Sequence, residues 1–377
     1  MANIAILGAQ WGDEGKGRVV HEFSKNYDWV IRFNGGANAG HTIYRDGIKY
    51  VHNLMPSFDW RHAHTKAFLA SGMVIDLEQL HKEVKGLYDL NPEYAARVYV
   101  DPDVFVVLSE HKQEDKTTNS HIGSTNRGIG PAYKSKIARS GTRIRDIVRN
   151  NDINDQNLSL ISEIQKMGVK FLTHLELDPE FSKSNLLFEG AQGIMLDINH
   201  GVYPYVSCSE STLAGVYACG FYYKIDKVYG VAKCYTTKVG EGPFPTELMG
   251  QEAESLREKG NEYGATTGRP RRIGWLDLPA LNYACKKGGI TDLILTKFDI
   301  LNGMQEVPMC ISYEKSPVSS FDFYNTTPKY ENFAGWDDAQ DKKSLSSFIK
   351  QVEISTNRNV GYISVGVNSD DILPWKS

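Results

Sequence analysis

Short apolar runs alternate with amphipathic stretches along the whole chain. Runs such as Ile4-Ala5-Ile6-Leu7, Val30-Ile31-Arg32-Phe33 and Leu293-Ile294-Leu295 are too short for buried helices and read as buried strands. The pattern predicts strands over 3–8, 28–33, 97–101, 104–108, 185–189, 227–234, 291–296 and 359–364. It predicts helices over 15–26, 77–88, 151–167, 277–287 and 343–355, and a hairpin over 42–53 that turns at Asp46-Gly47. Strand–helix alternation implies an α/β fold, with a mostly parallel central sheet flanked by helices. The polar, glycine-bearing stretches 109–146 and 236–274 read as mobile functional segments, and 314–343 as a surface wrap. No linker divides the pattern, which predicts one domain over 1–377 with small accessory elements.

Composition narrows the function classes. The net charge of −4 over 377 residues carries no global bias toward nucleic acid or an anionic membrane. No apolar run approaches the ~20 residues of a membrane span. The start, Met1-Ala2-Asn3, runs straight into a strand, which reads as the absence of a signal peptide. Five cysteines, Cys208, Cys219, Cys234, Cys285 and Cys310, show no CxxC spacing and read as reduced thiols of a cytoplasmic protein.

Six polar motifs stand at strand ends or in glycine-framed loops. Gly12-Asp13-Glu14-Gly15-Lys16-Gly17 follows the first strand and reads as a phosphate-binding turn, with backbone amides and the Lys16 charge as the donors. It is not a Walker A loop: Gln10 stands where the first glycine would be, and Gly17 replaces the hydroxyl that touches magnesium. A metal there needs other ligands. Asp13 and Glu14 are costly inside an anion site unless a cation or a proton transfer uses them. Asn34-Gly35-Gly36-Ala37-Asn38-Ala39-Gly40-His41 delivers an imidazole on a loop built for close approach, suited to charge on a transferring phosphoryl group. Gly123-Ser124-Thr125-Asn126-Arg127-Gly128, followed by Lys134, Lys136, Arg139, Arg143 and Arg145, suits a monophosphate. Phe188-Glu189-Gly190-Ala191-Gln192-Gly193 offers Gln192 to a purine edge, and Ser207 adds a hydroxyl. Gly264-Ala265-Thr266-Thr267-Gly268-Arg269-Pro270-Arg271-Arg272 suits a small dicarboxylate. Thr296-Lys297-Phe298-Asp299 places a carboxylate that can accept from N1–H and the 2-amino group of guanine, with the lysine stem along the purine face.

Taken in order, these motifs resemble the adenylosuccinate synthetase family. GAQWGDEGKG, NGGANAGHT, GPAYKSKIAR, FEGAQG, DINHGVYPYV, VGEGPFPTE, GATTGRPRR, GWLD and TKFDILNG match it in type and order, from Leu7 to about Gly366. The resemblance implies a P-loop-NTPase-like fold and a ligase that joins L-aspartate to C6 of IMP, with GTP as co-substrate and one Mg²⁺ per site. It implies a homodimer. By motif, Asp13 would be the general base, with Lys16, His41 and Gln192 as its catalytic partners. Asp13 and the Gly40 carbonyl would ligate the metal. Asn38, Thr125, Arg139, Gln192, Ser207, Val239 and Arg269 would hold the purine monophosphate, with Arg139 crossing from the second subunit. Thr266, Thr267, Arg269 and Arg271 would clamp aspartate. Gly12, Gly15, Lys16, Gly17, Gly40, His41, Thr42, Lys297, Asp299, Ser364 and Gly366 would hold the nucleoside triphosphate.

The chain departs from the family at several positions around the nucleotide. Asn126 stands where glycine is usual, Ser207 for threonine, Asn199 for aspartate, Glu210 for asparagine and Val367 for proline. The chain is also several dozen residues shorter than common bacterial members, mainly after Asp146. Compact phage relatives take dGMP in place of IMP, which makes dGMP with ATP, dATP or GTP the alternative reading. Phage members often carry serine where this chain keeps Asp13, and Arg269 is available to a ribose 2′-hydroxyl, so IMP leads. A reading of another class, a GTP-binding switch protein, leaves Asp13, His41 and the 264–272 loop without work.

Overall fold

The computed structural model describes residues 2–45, 48–118, 123–151, 155–264 and 268–375. A ten-stranded sheet forms the centre. From one edge to the other it runs Ile372–Pro374, Asn359–Ser364, Asp292–Thr296, Lys227–Lys233, Ile4–Gly8, Leu186–Glu189, Trp29–Arg32, Lys66–Leu69, Val98–Val100 and Lys170–Phe171. Every neighbouring pair is parallel except the last strand, Ile372–Pro374, which returns antiparallel to Asn359–Ser364. Strands buried on both faces need apolar residues at every position. Ile4-Ala5-Ile6-Leu7 meets that demand: Ala5 and Leu7 enter one core cluster with Trp29, Ile31 and Phe188, while Ile4 and Ile6 enter another with Val30, Val231 and Leu187. The alternation follows from the two-residue period of a strand.

Helices cover both faces. Leu77–Leu90 buries Leu77, Leu80, Val84 and Leu87 along one stripe and is capped by Asp76, whose carboxylate accepts from the Glu78 and Gln79 amides. A second sheet, in the order Tyr235–Lys238, Arg272–Asp277, Glu306–Tyr313, Pro328–Ala334, extends the Lys227–Lys233 strand to one side. The hairpin pairs His41–Arg45 with Ile48–His52, and its Asp46-Gly47 turn lies outside the described residues.

All eight expected strands and all five expected helices are present, within a few residues, although residues 152–154 of the expected 151–167 helix fall outside the described set. The two stretches read as mobile segments are corrected. Residues 109–146 contain the helices Ser109–Thr118 and Ile129–Ala138 and the start of Ile144–Asn150; residues 236–274 contain the helix Gly250–Gly260 and parts of two strands. Ser109–Thr118 gave no apolar signal because its buried residues are His111 and Asp115, both polar. The strands Lys66–Leu69, Lys170–Phe171 and Ile372–Pro374 were missed because runs of two to four residues carry too little periodicity to read.

Parallel strands all end on one side, and four of the six motifs sit at such ends. The Ile4–Gly8, Trp29–Arg32, Leu186–Glu189 and Asp292–Thr296 strands run directly into motif loops. Ligands bind at the carboxyl ends of parallel strands because the loops and helix N-termini converge there. At the junction of the two sheets, Asp277 caps the helix Leu278–Gly288 through the Ala280 amide (3.0 Å) and accepts from the Tyr313 hydroxyl at 2.5 Å. Replacing Asp277 by alanine removes the cap and leaves a buried hydroxyl unpaired. The expected cost is about 2–4 kcal/mol, read as a lower urea midpoint; an unchanged midpoint contradicts it.

Candidate active site

The first loop is organised from within. Glu14 is fully buried, and its carboxylate accepts from the amides of Gln10 (3.1 Å) and Gly12 (2.9 Å) and from Lys16 Nζ (2.7 Å). It is therefore the brace of the loop, which resolves one of the two costly carboxylates. Gly12 and Gly15 adopt positive φ, and the helix Lys16–Ser24 begins immediately after. A Cβ at Gly17 would lie 2.6 Å from the Cβ of His41. The hydroxyl of a standard P-loop is thus excluded by the histidine loop packed against it.

His41 begins the hairpin and is anchored by a residue the sequence did not single out. Its Nδ1 lies 2.5 Å from Glu189, whose two oxygens also accept from the Ser57 hydroxyl (2.6 Å) and amide (2.7 Å). Glu189 pairs in register with Arg32, and both are fully buried. Burial pushes the Glu189 pKa up, but His41, Arg32 and Ser57 together hold it below the usual carboxylate range. Burial lowers His41 against the pull of Glu189. In this pair the carboxylate carries the charge and Nδ1–H donates, leaving Nε2 as the nitrogen available to a ligand.

Asp13 is held from the other side. Arg271 donates from Nε to Asp13 (2.6 Å) and from Nη1 to Glu262 (2.5 Å), and Glu262 accepts from Lys233 Nζ (2.9 and 2.8 Å) and Tyr235 (2.5 Å). Lys233 and Glu262 are 1% and 0% exposed. Burial raises Glu262, yet Lys233 and Arg271 bring it down to about 2; burial lowers Lys233 to about 8 against the pull of Glu262. Neither Glu262 nor Lys233 carried a sequence signal, because their partner is 29 positions away.

Asp13, Lys16 and His41 line one cavity of about 800 Å³. Gly12, Gly15, Gly17, Asn38, Gly40, Thr42, Thr125, Gln192, Ser207, Val239, Arg271 and Lys297 line it with them. Ser209, not foreseen, joins Ser207 (3.0 Å) to Gln192 (3.3 Å) and to Asn34 (3.2 Å). Asp115 accepts from Ser124 and Gly128 N–H, both at 2.9 Å, and shapes the Thr125 loop. Asn126 takes φ 57°, a left-handed conformation that asparagine tolerates better than most residues. Among the described residues, the non-glycine positive-φ positions are four asparagines plus Asp13, Arg139, Gln192 and Lys297. Asp13, Gln192 and Lys297 line the cavity, whereas Arg139 is the C-cap of the helix Ile129–Ala138.

Some expected members lie elsewhere. Arg139 is exposed at the end of Ile129–Ala138 and does not line its own chain's cavity. Arg269 is exposed and donates to the Gly123 carbonyl (3.3 Å). Asp299, Ser364 and Gly366 also stand outside the lining, with Arg18 donating to Ser364 Oγ and the Gly366 carbonyl. Thr266 and Thr267 lie outside the described residues. The described residues contain no group of three or more His, Cys, Asp or Glu able to hold a metal. Asp13 and Gly40 both line the cavity, and a carboxylate with a backbone carbonyl is a donor set that suits a magnesium ion completed by phosphates and water.

A glycine loop with a lysine, a carboxylate and a histidine around a large cavity at the strand ends defines a nucleotide-handling α/β enzyme. Comparison with known proteins narrows the class. The profile of the adenylosuccinate synthetase family matches residues 5–184 and 159–373. The adenylosuccinate synthetases of Petrotoga mobilis and Thermotoga maritima are 41% and 40% identical, covering 99% and 98% of this chain and 97% and 99% of their own. The structure of fully ligated adenylosuccinate synthetase from Plasmodium falciparum superposes with a TM-score of 0.86 at 31% identity over the full length of both chains. The succinoaminodeoxyadenylate synthetase of cyanophage S-2L, bound to dGMP and dATP, shares the fold at TM-score 0.72 and 22% identity, over 100% of this chain and 96% of its own. The chain belongs to the adenylosuccinate synthetase family, and it is a ligase that forms a C–N bond.

The Glu262 network makes a pH prediction. Its folded pKa, about 2, lies below the ordinary 4.5, so its contribution to stability is complete above about pH 4.5 and is lost as pH falls toward 2. Glu262→Gln should cost about 3–5 kcal/mol near neutrality and flatten the fall of the urea midpoint across that acid window. An unchanged slope would show that Glu262 is not the group responsible.

Proposed function

We propose that this chain joins L-aspartate to C6 of IMP, driven by GTP, in purine nucleotide synthesis. The observation that carries the reading is the shared cavity, which Asp13, Lys16, His41, Arg271, Gln192 and Ser207 all line. A GTP-binding switch would have no use for this convergence.

Asp13 takes the N1 proton of the 6-oxopurine, and the O6 anion attacks the γ-phosphorus. The bond from that phosphorus to the β–γ bridging oxygen breaks and GDP leaves. Lys16 and the amides of the first loop hold the phosphates, and His41, oriented by Glu189, assists transfer at O6. The aspartate amine then attacks C6, the C6–O bond breaks, and phosphate departs from what is now a good leaving group. Asp13 and the Gly40 carbonyl would hold magnesium, which neutralises phosphate charge when bound. Thr125, Ser207, Asn38, Gln192, Val239 and Arg269 hold the acceptor nucleotide. Arg271, with Thr266, Thr267 and Arg269, holds aspartate. Gly12, Gly15, Gly17, Thr42, Lys297, Asp299, Ser364 and Gly366 complete the donor site.

The exposed position of Arg139 supports a homodimer in which it serves the neighbouring subunit's site. The sheet that runs through the chain supports a single folding unit over 1–377. No described helix is long and apolar enough to cross a membrane.

Parallel assays with IMP, dGMP and GMP, each with aspartate and either GTP or ATP, test the reading. IMP with GTP is expected to be fastest; faster turnover with dGMP would assign the phage-type reaction instead. Asp13→Ala and His41→Asn should each lower kcat by about 10²–10⁴-fold with the fold retained; wild-type turnover in either rejects its role. Arg271→Leu should raise the aspartate KM far more than the IMP KM, and equal effects would contradict the clamp.

A further inference from the structure

Beside the cavity, two neighbouring strands, Asp292–Thr296 and Asn359–Ser364, end in a second set of polar groups. Oδ1 of Asp299 is buried and has no hydrogen-bond partner. Arg18 stands in the first turn of Lys16–Ser24, two residues beyond the phosphate-loop lysine. It donates from Nη1 to the Gly366 carbonyl and from Nη2 to the Ser364 hydroxyl. Its guanidinium lies in the field of Asp299 and Asp371. A Cβ at Gly366 would meet the Asp371 carboxylate at 2.4 Å, so only bare backbone fits beside these groups. One orphan acceptor and one forked donor therefore share a subsite at the foot of the phosphate loop.

Guanine presents the complementary pattern. Its N1–H and 2-amino group are donors on one edge, and O6 and N7 are paired acceptors on another. A carboxylate satisfies the first edge and a guanidinium fork the second. Adenine spoils both pairings: its N1 carries no proton for Asp299, and beside the N7 acceptor that it shares with guanine its 6-amino donor would face the arginine. Buried polar groups left unpaired in this way are the basis of strong discrimination.

We propose that Arg18 is a specificity-determining residue of the donor site, which donates to the O6/N7 edge of guanine while Asp299 accepts from its N1–H edge. In the free chain the guanidinium rests on Ser364 and Gly366, two acceptors that stand in for the base. The inference rests on GTP as the donor and adds the residue that reads the second edge.

Calorimetric titration of the full chain with GDP, 7-deaza-GDP and ADP, in magnesium buffer, tests it. Wild type should bind GDP most tightly and 7-deaza-GDP, which lacks the N7 acceptor, about 10-fold more weakly. Arg18→Met should weaken GDP about 10- to 100-fold, leave ADP little changed, and bind GDP and 7-deaza-GDP equally. Arg18→Lys keeps the charge without the fork; it should also lose the difference between GDP and 7-deaza-GDP, and it carries the test if the methionine variant does not fold. Unchanged or tighter GDP binding by Arg18→Met would show that the arginine only fills the subsite. Equal weakening of GDP and ADP would assign it to the loop or the phosphates; either result overturns the inference. Tighter binding of ADP than GDP by wild type would overturn the guanine-donor reading itself, before any variant is measured.

Discussion

Four charges of alternating sign run from the core to the cavity: Lys233, Glu262, Arg271 and Asp13. The inner pair has no access to water, and each member would be prohibitive alone. Together they hold one guanidinium and one carboxylate side by side on the cavity wall. The stability of the inner pair is what holds the outer pair in position.

The same logic recurs on the opposite wall. Arg32 and Glu189 are register partners on adjacent strands, and the pair fixes His41 through Nδ1. Glu14 plays the corresponding part in the phosphate loop, spending its carboxylate on loop amides and Lys16. In each case a buried acid orients a polar group on the cavity wall. Preorganisation of this kind removes the reorganisation that water would otherwise require as charge develops.

Much of this was legible in the chain. Eight strands, five helices and the motif loops at strand ends follow from apolar runs and glycine placement, because buried parallel strands must be apolar throughout. Asp13, Lys16, His41, Gln192 and Lys297 were identified from their loops, and all line the cavity. The polar helix Ser109–Thr118 was not legible, because its buried positions are His111 and Asp115 and a helix that buries polar side chains has no hydrophobic period. Nor were Glu189 and Glu262, which look like ordinary acids until their partners arrive from elsewhere.

By itself, then, the sequence determined which short segments could be strands, which loops could approach a phosphate, and which acids and bases were available. Tertiary structure alone decided that loops starting at residues 9, 33, 190 and 297 meet, since they follow strands that the sheet gathers with Ile4–Gly8 between Lys227–Lys233 and Leu186–Glu189, an order that no local pattern specifies. It also decided that Gly17 makes room for His41 and that Arg271 reaches Asp13 across 258 positions. Local propensity acts over a few residues, whereas an ion pair in a dry interior is selected only when the whole chain has closed around it.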